Sequence, residues 1–393
     1  MKNQPPSSRK ASVGREERSS TATTASKIAT VVKTVFEPEH EVIKMAIDMH
    51  GRMWMISRQL DNATPQPPQE FTPADAMRFI EKQVKLGRRV VCCYEAGCFG
   101  FAPQRKIQAL GTECLVIAPQ NWDPRQKKVR TDRTDTNEMV QRLDRYVAGN
   151  RKALAVVRVP NLADEVWRSR VRQRKQLQSS RNRWANMGKS LLLNYGMGGG
   201  WSWWKPRRWE QTQKLVREEM GEHADAVMMM LEVYRKILMF VNERLDALTT
   251  EQIEKQKQRK SRLPRLRGIG ERSLATIEAE IHNWDDFHNR RQISSYTGLC
   301  PGVVGTAGNF TGLSVNKCGN RRLRSVLVEV AWLLLRYQPG YRPLQRYQSV
   351  FKCGSRPLRK KAIVAIARQL AVDLWRIATG RTTPQNLGLK LAT

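Results

Sequence analysis

Between residue 40 and about residue 150, short apolar runs alternate with stretches whose apolar residues recur at helical spacing. This alternation is typical of an α/β domain. Residues 42–48 and 53–56 predict two strands that pair as a hairpin across a glycine turn. Further strands are predicted over residues 89–95 and 114–118.

Three helices are predicted in the same region. The first has Thr72 as its N-cap and Pro73 at the first helical position, and it runs to about residue 86. A second helix is expected near residues 104–110. After a basic turn, a third is expected from about Asp135 to residue 147.

Residues 161–260 predict long helices, interrupted by a Gly- and Trp-rich segment at residues 196–206. In the second half, apolar residues recur at alternating spacings of four and three, which is the a/d pattern of a coiled coil. Two interpretations stay open: a helix packed within its own domain, and a coiled-coil arm for self-association. The repeat consists of Val227, Leu231, Tyr234, Leu238, Val241, Leu245 and Leu248.

The interrupting segment contains Trp201, Trp203 and Trp204. The favoured interpretation is a hydrophobic patch that closes the helical region. The alternative is a platform on which unpaired bases stack, which the cations that follow the segment keep open.

From residue 262 to the end, the pattern is mainly helical with one Gly-rich loop. Gly268 and Gly270 precede a helix predicted over residues 271–281. Their arrangement resembles a helix-hairpin-helix turn, whose amides hold a DNA backbone, although an ordinary helix–helix turn has the same pattern. The last long helix is predicted over residues 359–378, with a basic start.

The charge of the chain narrows its partners. Its 393 residues include 69 Lys and Arg against 36 Asp and Glu, a formal net charge of +33. Such an excess is self-repulsive unless a polyanion neutralises it, so nucleic acid is the leading partner, with a nonspecific basic protein as the alternative. Residues 1–38 are expected to form a disordered basic tail.

Other classes of protein fit poorly. No apolar run approaches the ~20 residues that span a bilayer, so no membrane association is expected. The seven cysteines form no CxxC pair, which disfavours zinc. Free thiols in a chain of this size fit a reducing cytoplasm, the expected location.

Four acids stand at the ends of predicted strands or in a turn: Asp48, Glu95, Asp132 and Asp135. Carboxylates repel phosphate, so acids gathered in a basic protein predict a divalent cation, Mg²⁺ or Mn²⁺, for which oxygen ligands are suited. Taken singly, Asp48 could be a turn residue, and Asp135 could be an N-cap paired with Glu138. Together, in this order, the four favour a metal site.

The Gly-rich loop begins near Tyr296 and continues through residues 305–308 to a basic stretch at residues 314–324. Small residues let backbone amides approach a phosphate, and a hydroxyl held there could attack phosphorus. From the spacing alone, a phosphate-anchoring loop without chemistry is the favoured interpretation. The cations of the basic stretch are Lys317, Arg321, Arg322 and Arg324.

These residues resemble the transposases of the insertion-sequence-110 family, the DEDD group related to Piv/MooV invertases. The resemblance covers roughly residues 42–345, in two separate blocks. The matching motifs are Ala46-Ile47-Asp48-Met49-His50, Tyr94-Glu95-Ala96-Gly97, Thr131-Asp132-Arg133-Thr134-Asp135, Leu266-Arg267-Gly268-Ile269-Gly270, Gly298-Leu299-Cys300-Pro301 and Lys317-Cys318-Gly319-Asn320-Arg321-Arg322-Leu323-Arg324.

The resemblance implies a RuvC-like, RNase H-type catalytic domain at residues 39–155 and a helical, coiled-coil linker at residues 156–260. It further implies a transposase domain at residues 261–350, followed by a C-terminal helix and tail at residues 351–393. It makes Asp48, Glu95, Asp132 and Asp135 the metal ligands of an enzyme that cleaves and transfers DNA strands as an oligomer. Some family members also use a structured noncoding RNA, which joins the candidate partners.

One position departs from the family. Where the family has a nucleophilic Ser, this chain has Thr306, followed by Ala307. Either Thr306 is the nucleophile, or Ser314 has taken the role, or covalent chemistry is lost; the first is favoured. Three functions therefore remain: a transposase or site-specific recombinase, a Holliday-junction-type endonuclease, and an inactive nucleic-acid-binding relic.

Overall fold

The computed structural model describes residues 41–119, 131–198, 200–306 and 309–392, with the side chains of residues 303–313 left out. The expected basic tail at residues 1–38 and most of the basic turn before Thr131 lie outside the described residues. The chain divides into two compact units, one up to Val159 and one from Pro160 onward.

The first unit contains a six-stranded sheet in the order β3-β2-β1-β4-β5-β6. Strands β1, β4 and β5 are parallel, whereas β2, β3 and β6 run antiparallel to their neighbours. The predicted hairpin and the two later strands are confirmed; β3 and β6 were not predicted. The strands are β1 (Val42–Met49), β2 (Trp54–Leu60), β3 (Gln66–Phe71), β4 (Arg89–Glu95), β5 (Glu113–Ile117) and β6 (Val156–Val157).

Helices cover both faces of this sheet. Helices α1 (Pro73–Lys85) and α2 (Ala102–Gln108) share one hydrophobic core with the odd-numbered residues of β1. Helix α3 (Asp132–Val147) covers the opposite face, where it packs against Ala46 of β1 and Cys93 of β4. The sheet therefore has a core on each side, as parallel strands require.

The helix starts follow from capping. The Thr72 hydroxyl accepts a hydrogen bond from the Asp75 amide at 3.2 Å, which confirms the predicted N-cap of α1. Helix α3 begins at Asp132 and not at Asp135 as expected, because Thr131 is its N-cap and forms a reciprocal capping box with Thr134. The interpretation of Asp135 as an N-cap is therefore wrong.

The second unit begins with three helices, α4 (Leu162–Asn194), α5 (Pro206–Met220) and α6 (Ala224–Gln258). Helices α4 and α6 pack along each other, and the a/d positions of α6 are buried within this unit or partly so. The within-domain alternative thus describes this seam, whereas self-association through a coiled coil stays a prediction. Trp203 and Trp204 lie in the same core, so they form the expected hydrophobic patch, while Trp201 is exposed.

A second core of this unit is built mainly from helices after residue 260. The helix predicted over residues 271–281 is confirmed. The Gly-rich segment that was expected to be a loop forms an antiparallel hairpin of β7 and β8. The elements are α7 (Glu271–Ile281), α8 (Arg290–Thr297), β7 (Pro301–Thr306), β8 (Asn309–Val315), α9 (Arg321–Tyr337), α10 (Arg342–Arg346), α11 (Gln348–Cys353) and α12 (Arg356–Ala378).

Among the described residues, none of the helices combines the length and the apolar character that a bilayer crossing needs.

Candidate active site

Asp48 and Glu95 occupy neighbouring positions at the ends of two parallel strands. Ile47 of β1 is the register partner of Tyr94 of β4, so the two acids come one residue later on strands that lie about 4.8 Å apart. Because side chains alternate along a strand, both acids belong to the sheet face that α3 covers. One carboxylate oxygen of Glu95 is buried.

The first turn of α3 brings the other two acids to the same edge. Asp132 stands one turn before the buried Thr136, and Asp135 stands one turn before the buried Met139. Both aspartates therefore extend the stripe of α3 that faces the sheet. The negative charge of Asp135 acts on Asp48, which indicates that the two are close.

His50 lies between two of the acids. Its Nε2 atom is 3.4 Å from Oδ2 of Asp48 and 3.3 Å from Oδ2 of Asp132. His50 was not among the ligands predicted from the sequence. Its position nevertheless carries a signal, because His50 follows Asp48 by two residues at a strand end, and the alternation of side chains can place both on one face.

The ionised form of Asp48 is disfavoured. Burial raises the pKa of Asp48, the charge of His50 lowers it, and the charges of Asp132 and Asp135 raise it again, with a net upward shift. Neighbouring like charges favour protonation unless a cation compensates them. A divalent ion would supply that compensation.

The donor set fits a hard divalent cation. One ligand atom from each of Asp48, His50 and Asp132 lies within 4.8 Å of the others, a spacing that one ion could bridge. Glu95 and Asp135 lie beside this trio but outside the 4.8 Å group. Carboxylate oxygens suit Mg²⁺ and Mn²⁺, and an imidazole nitrogen is acceptable to Mn²⁺.

In the second unit, two glycines bring the predicted phosphate loop together. Gly298 ends α8 with a φ of +65°, and a Cβ atom there would approach the Arg324 guanidinium to 2.5 Å. A Cβ atom on Gly319 would lie 2.6 Å from the Gly298 nitrogen. The segments around residues 298 and 319 therefore touch backbone to backbone, which only glycine permits.

The cations of this loop divide into two groups. Lys317, Arg321 and Arg322 are exposed and available to a phosphate. The Arg324 guanidinium instead donates hydrogen bonds to the carbonyls of Thr297 and Lys317, at 3.0 and 3.2 Å, so it holds the loop.

A buried carboxylate supports the same loop. Glu280 of α7 accepts two hydrogen bonds from the Arg172 guanidinium of α4, at 2.9 and 2.7 Å, and a third from the Asn320 amide at 2.8 Å. The Asn320 side-chain oxygen in turn caps α9 by accepting from the amides of Arg322 and Leu323. This Glu280 network thereby ties α4 and α7 to the basic start of α9.

The turn at Gly268 and Gly270 is also held in place. Gly268 has a φ of +86° and packs against Tyr337, and Gly270 is the N-cap of α7. The buried Gln338 amide donates to the carbonyls of Arg267 and Lys390, both at 2.8 Å, which fixes the chain just before this turn. The helix-hairpin-helix character of the turn stays a prediction.

Thr306 is the last residue of β7, with Asn309 as its register partner across the hairpin. Its side chain lies outside the described residues. Ser314, the alternative hydroxyl, is exposed near the other end of β8. The two candidate nucleophiles are thus at opposite ends of one hairpin.

Comparison with known proteins identifies the kind of protein that carries these features. The family model described as the IS116/IS110/IS902 transposase family matches residues 260–348, the part that contains the basic loop. The Sinorhizobium fredii protein y4qE, named as a transposase, is 30% identical over 337 residues, or 79% of this chain and 80% of that protein. A second protein of that species, y4rJ, also named as a transposase, is 27% identical over 365 residues, or 85% of this chain and 91% of its own length.

The transposase for insertion sequence element IS1111A from Coxiella burnetii is 23% identical over 283 residues, covering 71% of this chain and 75% of that protein. The matches to these relatives extend well beyond the segment that the family model covers. They therefore include much of the first unit as well as the basic loop. The resemblance drawn from the sequence is confirmed, and the chain belongs to the IS110 family of transposases.

Proposed function

We propose that this transposase cleaves and transfers DNA strands of an insertion element with a magnesium or manganese ion held by the acids of its first unit. The observation that carries this proposal is the convergence of Asp48, Glu95, Asp132 and Asp135 at one edge of the sheet. The mixed sheet with helices on both faces also supports the RuvC-like catalytic domain that the family resemblance implies.

Each acid has a distinct place in the proposal. Asp48 and Asp132 would hold the ion, with Glu95 and Asp135 completing the ligand set directly or through water. When bound, the ion stabilises negative charge on the reacting phosphate and can lower the pKa of a coordinated hydroxyl. His50 would orient the two aspartates it contacts, or replace a water as a ligand.

The covalent step is assigned to Thr306. Its hydroxyl oxygen forms a bond to phosphorus, the bond from that phosphorus to one bridging oxygen of the DNA backbone breaks, and the hydroxyl proton passes to water. The departing oxygen takes up a proton, so a phosphothreonine ester and a free DNA hydroxyl result. Attack by that or another DNA hydroxyl on the ester would rejoin strands and release Thr306.

DNA is proposed to bind mainly through its phosphates. Lys317, Arg321 and Arg322 supply exposed charge, and the amides around Gly270 could contact the backbone. An oligomer would allow acids and hydroxyl to come from one subunit or from neighbouring ones. A structured RNA stays a further candidate partner.

The experiment is cleavage of element-end DNA in Mg²⁺, scored for strand breaks and for DNA covalently attached to protein. We expect Asp48→Asn and Asp135→Asn to lower cleavage by at least about a hundredfold while DNA affinity is unchanged, since catalysis and phosphate binding use different residues. Asp75→Asn is the matched control, because Asp75 is also an acid in the first turn of a helix. Full activity of Asp48→Asn would disprove the metal assignment.

The same assay separates the alternatives. An adduct that disappears in Thr306→Ala supports the covalent step, and one that disappears only in Ser314→Ala moves the role to Ser314. Cleavage of branched DNA without any adduct, unaffected by Thr306→Ala, would identify a junction endonuclease. Salt-sensitive binding without cleavage in Mg²⁺ or Mn²⁺ would identify an inactive relic.

A further inference from the structure

A second basic site lies in the second unit, between α9 and the start of α12. Trp332, Gly354, Arg356, Arg359 and Lys360 line an open cavity of about 600 Å³. Most of this cavity lies beyond the segment that the family model matches, which ends at residue 348. None of its residues takes part in the metal site or the basic loop.

The tryptophan of this cavity is not explained by packing. The buried stripe of α9 consists of Leu323, Val326, Leu327, Val330, Ala331 and Leu334. Trp332 lies off this stripe and exposes 44% of its surface. A large aromatic ring is therefore presented to solvent at the edge of the cavity.

The charged residues that line the cavity, Arg356, Arg359 and Lys360, are all cations. The Arg359 guanidinium is held by the cavity wall, donating to the Gly354 carbonyl at 3.0 Å. Arg356 and Lys360 are one helical turn apart at the start of α12, where the helix dipole also favours an anion. Within the described part of the chain, neither has an ion pair.

We propose that this cavity binds an unpaired nucleotide of a single-stranded nucleic acid. The base would stack on the Trp332 indole, and its phosphate would lie between Arg356 and Lys360. A base in a duplex has no free face, so the site should distinguish unpaired strands from paired ones. The inference rests on the nucleic-acid partner of the proposed function, but it does not use the metal.

The test is binding of the full-length protein, in EDTA, to a fluorescent oligothymidine and to a duplex of equal length. We expect Trp332→Ala to weaken oligothymidine binding by about tenfold, the order of one base–aromatic stack, and to leave duplex binding unchanged. Trp332→Phe should restore most of the loss, because phenylalanine still offers an aromatic face. An oligouridine arm shows whether the natural strand is DNA or RNA.

Matched variants test whether the loss of any exposed aromatic ring or positive charge has the same effect. Phe240→Ala removes another exposed aromatic ring, and Lys236→Ala removes an exposed charge, both on α6; neither should discriminate single strands from duplex. Arg356→Ala with Lys360→Ala should weaken oligothymidine binding more than Lys236→Ala does.

Two results would overturn the assignment. One is an equal loss of single-strand and duplex binding in Trp332→Ala. The other is unchanged oligothymidine binding in Trp332→Ala. If that variant also has an altered mass by light scattering, the cavity is a protein contact. Since no metal is present, failure here is distinct from failure of the cleavage proposal.

Discussion

Glu280 shows how a single residue with no proposed part in catalysis can position the basic loop. Its carboxylate is fully buried and accepts hydrogen bonds from the Arg172 guanidinium and the Asn320 amide, which favour its ionised form. Burial raises the pKa of Glu280, but the hydrogen bonds from Arg172 and Asn320 and the charges of Arg172 and Arg322 outweigh it, so the net pKa lies below the ordinary value of 4.5. Ionised Glu280 therefore stabilises the fold.

We expect Glu280→Gln to lower the free energy of unfolding at pH 7 by about 2–3 kcal/mol, as loss of a charge-assisted hydrogen bond does. Because the folded-state pKa is depressed, this stabilisation is complete above the unfolded-state pKa and is lost as the pH falls through the folded-state value. The difference in free energy of unfolding between wild type and variant, measured by urea unfolding, should thus become smaller as the pH drops below about 5.

The control for this prediction is Glu218→Gln, which breaks the exposed pair with Lys214. It should change stability by less than about 0.5 kcal/mol at any pH, because solvent screens such pairs. A gap for Glu280→Gln that stays constant with pH would contradict the assigned ion pair.

At the scale of elements, α4 approaches the turn that follows it closely, and this contact depends on a glycine. Gly188 lies in the C-terminal third of α4, and a Cβ atom there would lie 2.0 Å from the Trp203 ring. That ring is buried, and its Nε1 atom donates to the Ala185 carbonyl at 2.9 Å. The glycine is thus required for packing, against its poor helix propensity.

We expect Gly188→Ala to destabilise the protein by about 2 kcal/mol or more, since overpacking outweighs the ~1 kcal/mol that alanine gains in a helix. Thermal unfolding measures the change. Gly198→Ala is the control, because no atom lies within 4 Å of its added Cβ. Equal stability of the two variants would show that the Trp203 ring can move aside.

Elements with strong local signals could be predicted from the sequence, and those that depend on partners could not. The apolar runs ending at Asp48 and Glu95 gave the strands and the acids at their ends. Strand β3 contains two prolines and few apolar residues, so its sequence does not predict a strand. Prolines are tolerated there because β3 is an edge strand that pairs only with β2. The hairpin of β7 and β8 was not predicted, because the glycines in this segment are typical of a loop.

The sequence allowed the candidate residues of the site to be predicted, but not the contacts between them. The sequence identified four acids, whereas the place of His50 depends on the distance between β1 and α3, which no local pattern encodes. Similarly, Arg324 resembled its exposed neighbours in sequence, and only the fold turns it toward the backbone of the loop. Side-chain roles set by tertiary contact need the structure.

For the whole molecule, we expect the excess of positive charge to dominate the binding of DNA. With a net charge of +33, DNA affinity should fall steeply as salt rises, because each neutralised phosphate releases counterions. We expect the slope of log K against log salt to be about −5 or steeper, measured by fluorescence anisotropy.

The variants separate the residues that bind phosphate from those proposed to bind the metal. Asp48→Asn should keep that slope. Arg321→Ala with Arg322→Ala should make it shallower by about one to two units, and an unchanged slope would remove these residues from the interface.

The proposed sites for cleaving and for binding DNA differ in what they require of the polypeptide. The acids are far apart along the chain and meet only while β1, β4 and α3 remain packed, whereas attraction to phosphate persists in any conformation of so cationic a chain. Mild heat or denaturant should therefore abolish DNA cleavage before the protein dissociates from the duplex. A damaged copy of this enzyme would then occupy its element ends as a passive obstacle and spare the host from uncontrolled breaks.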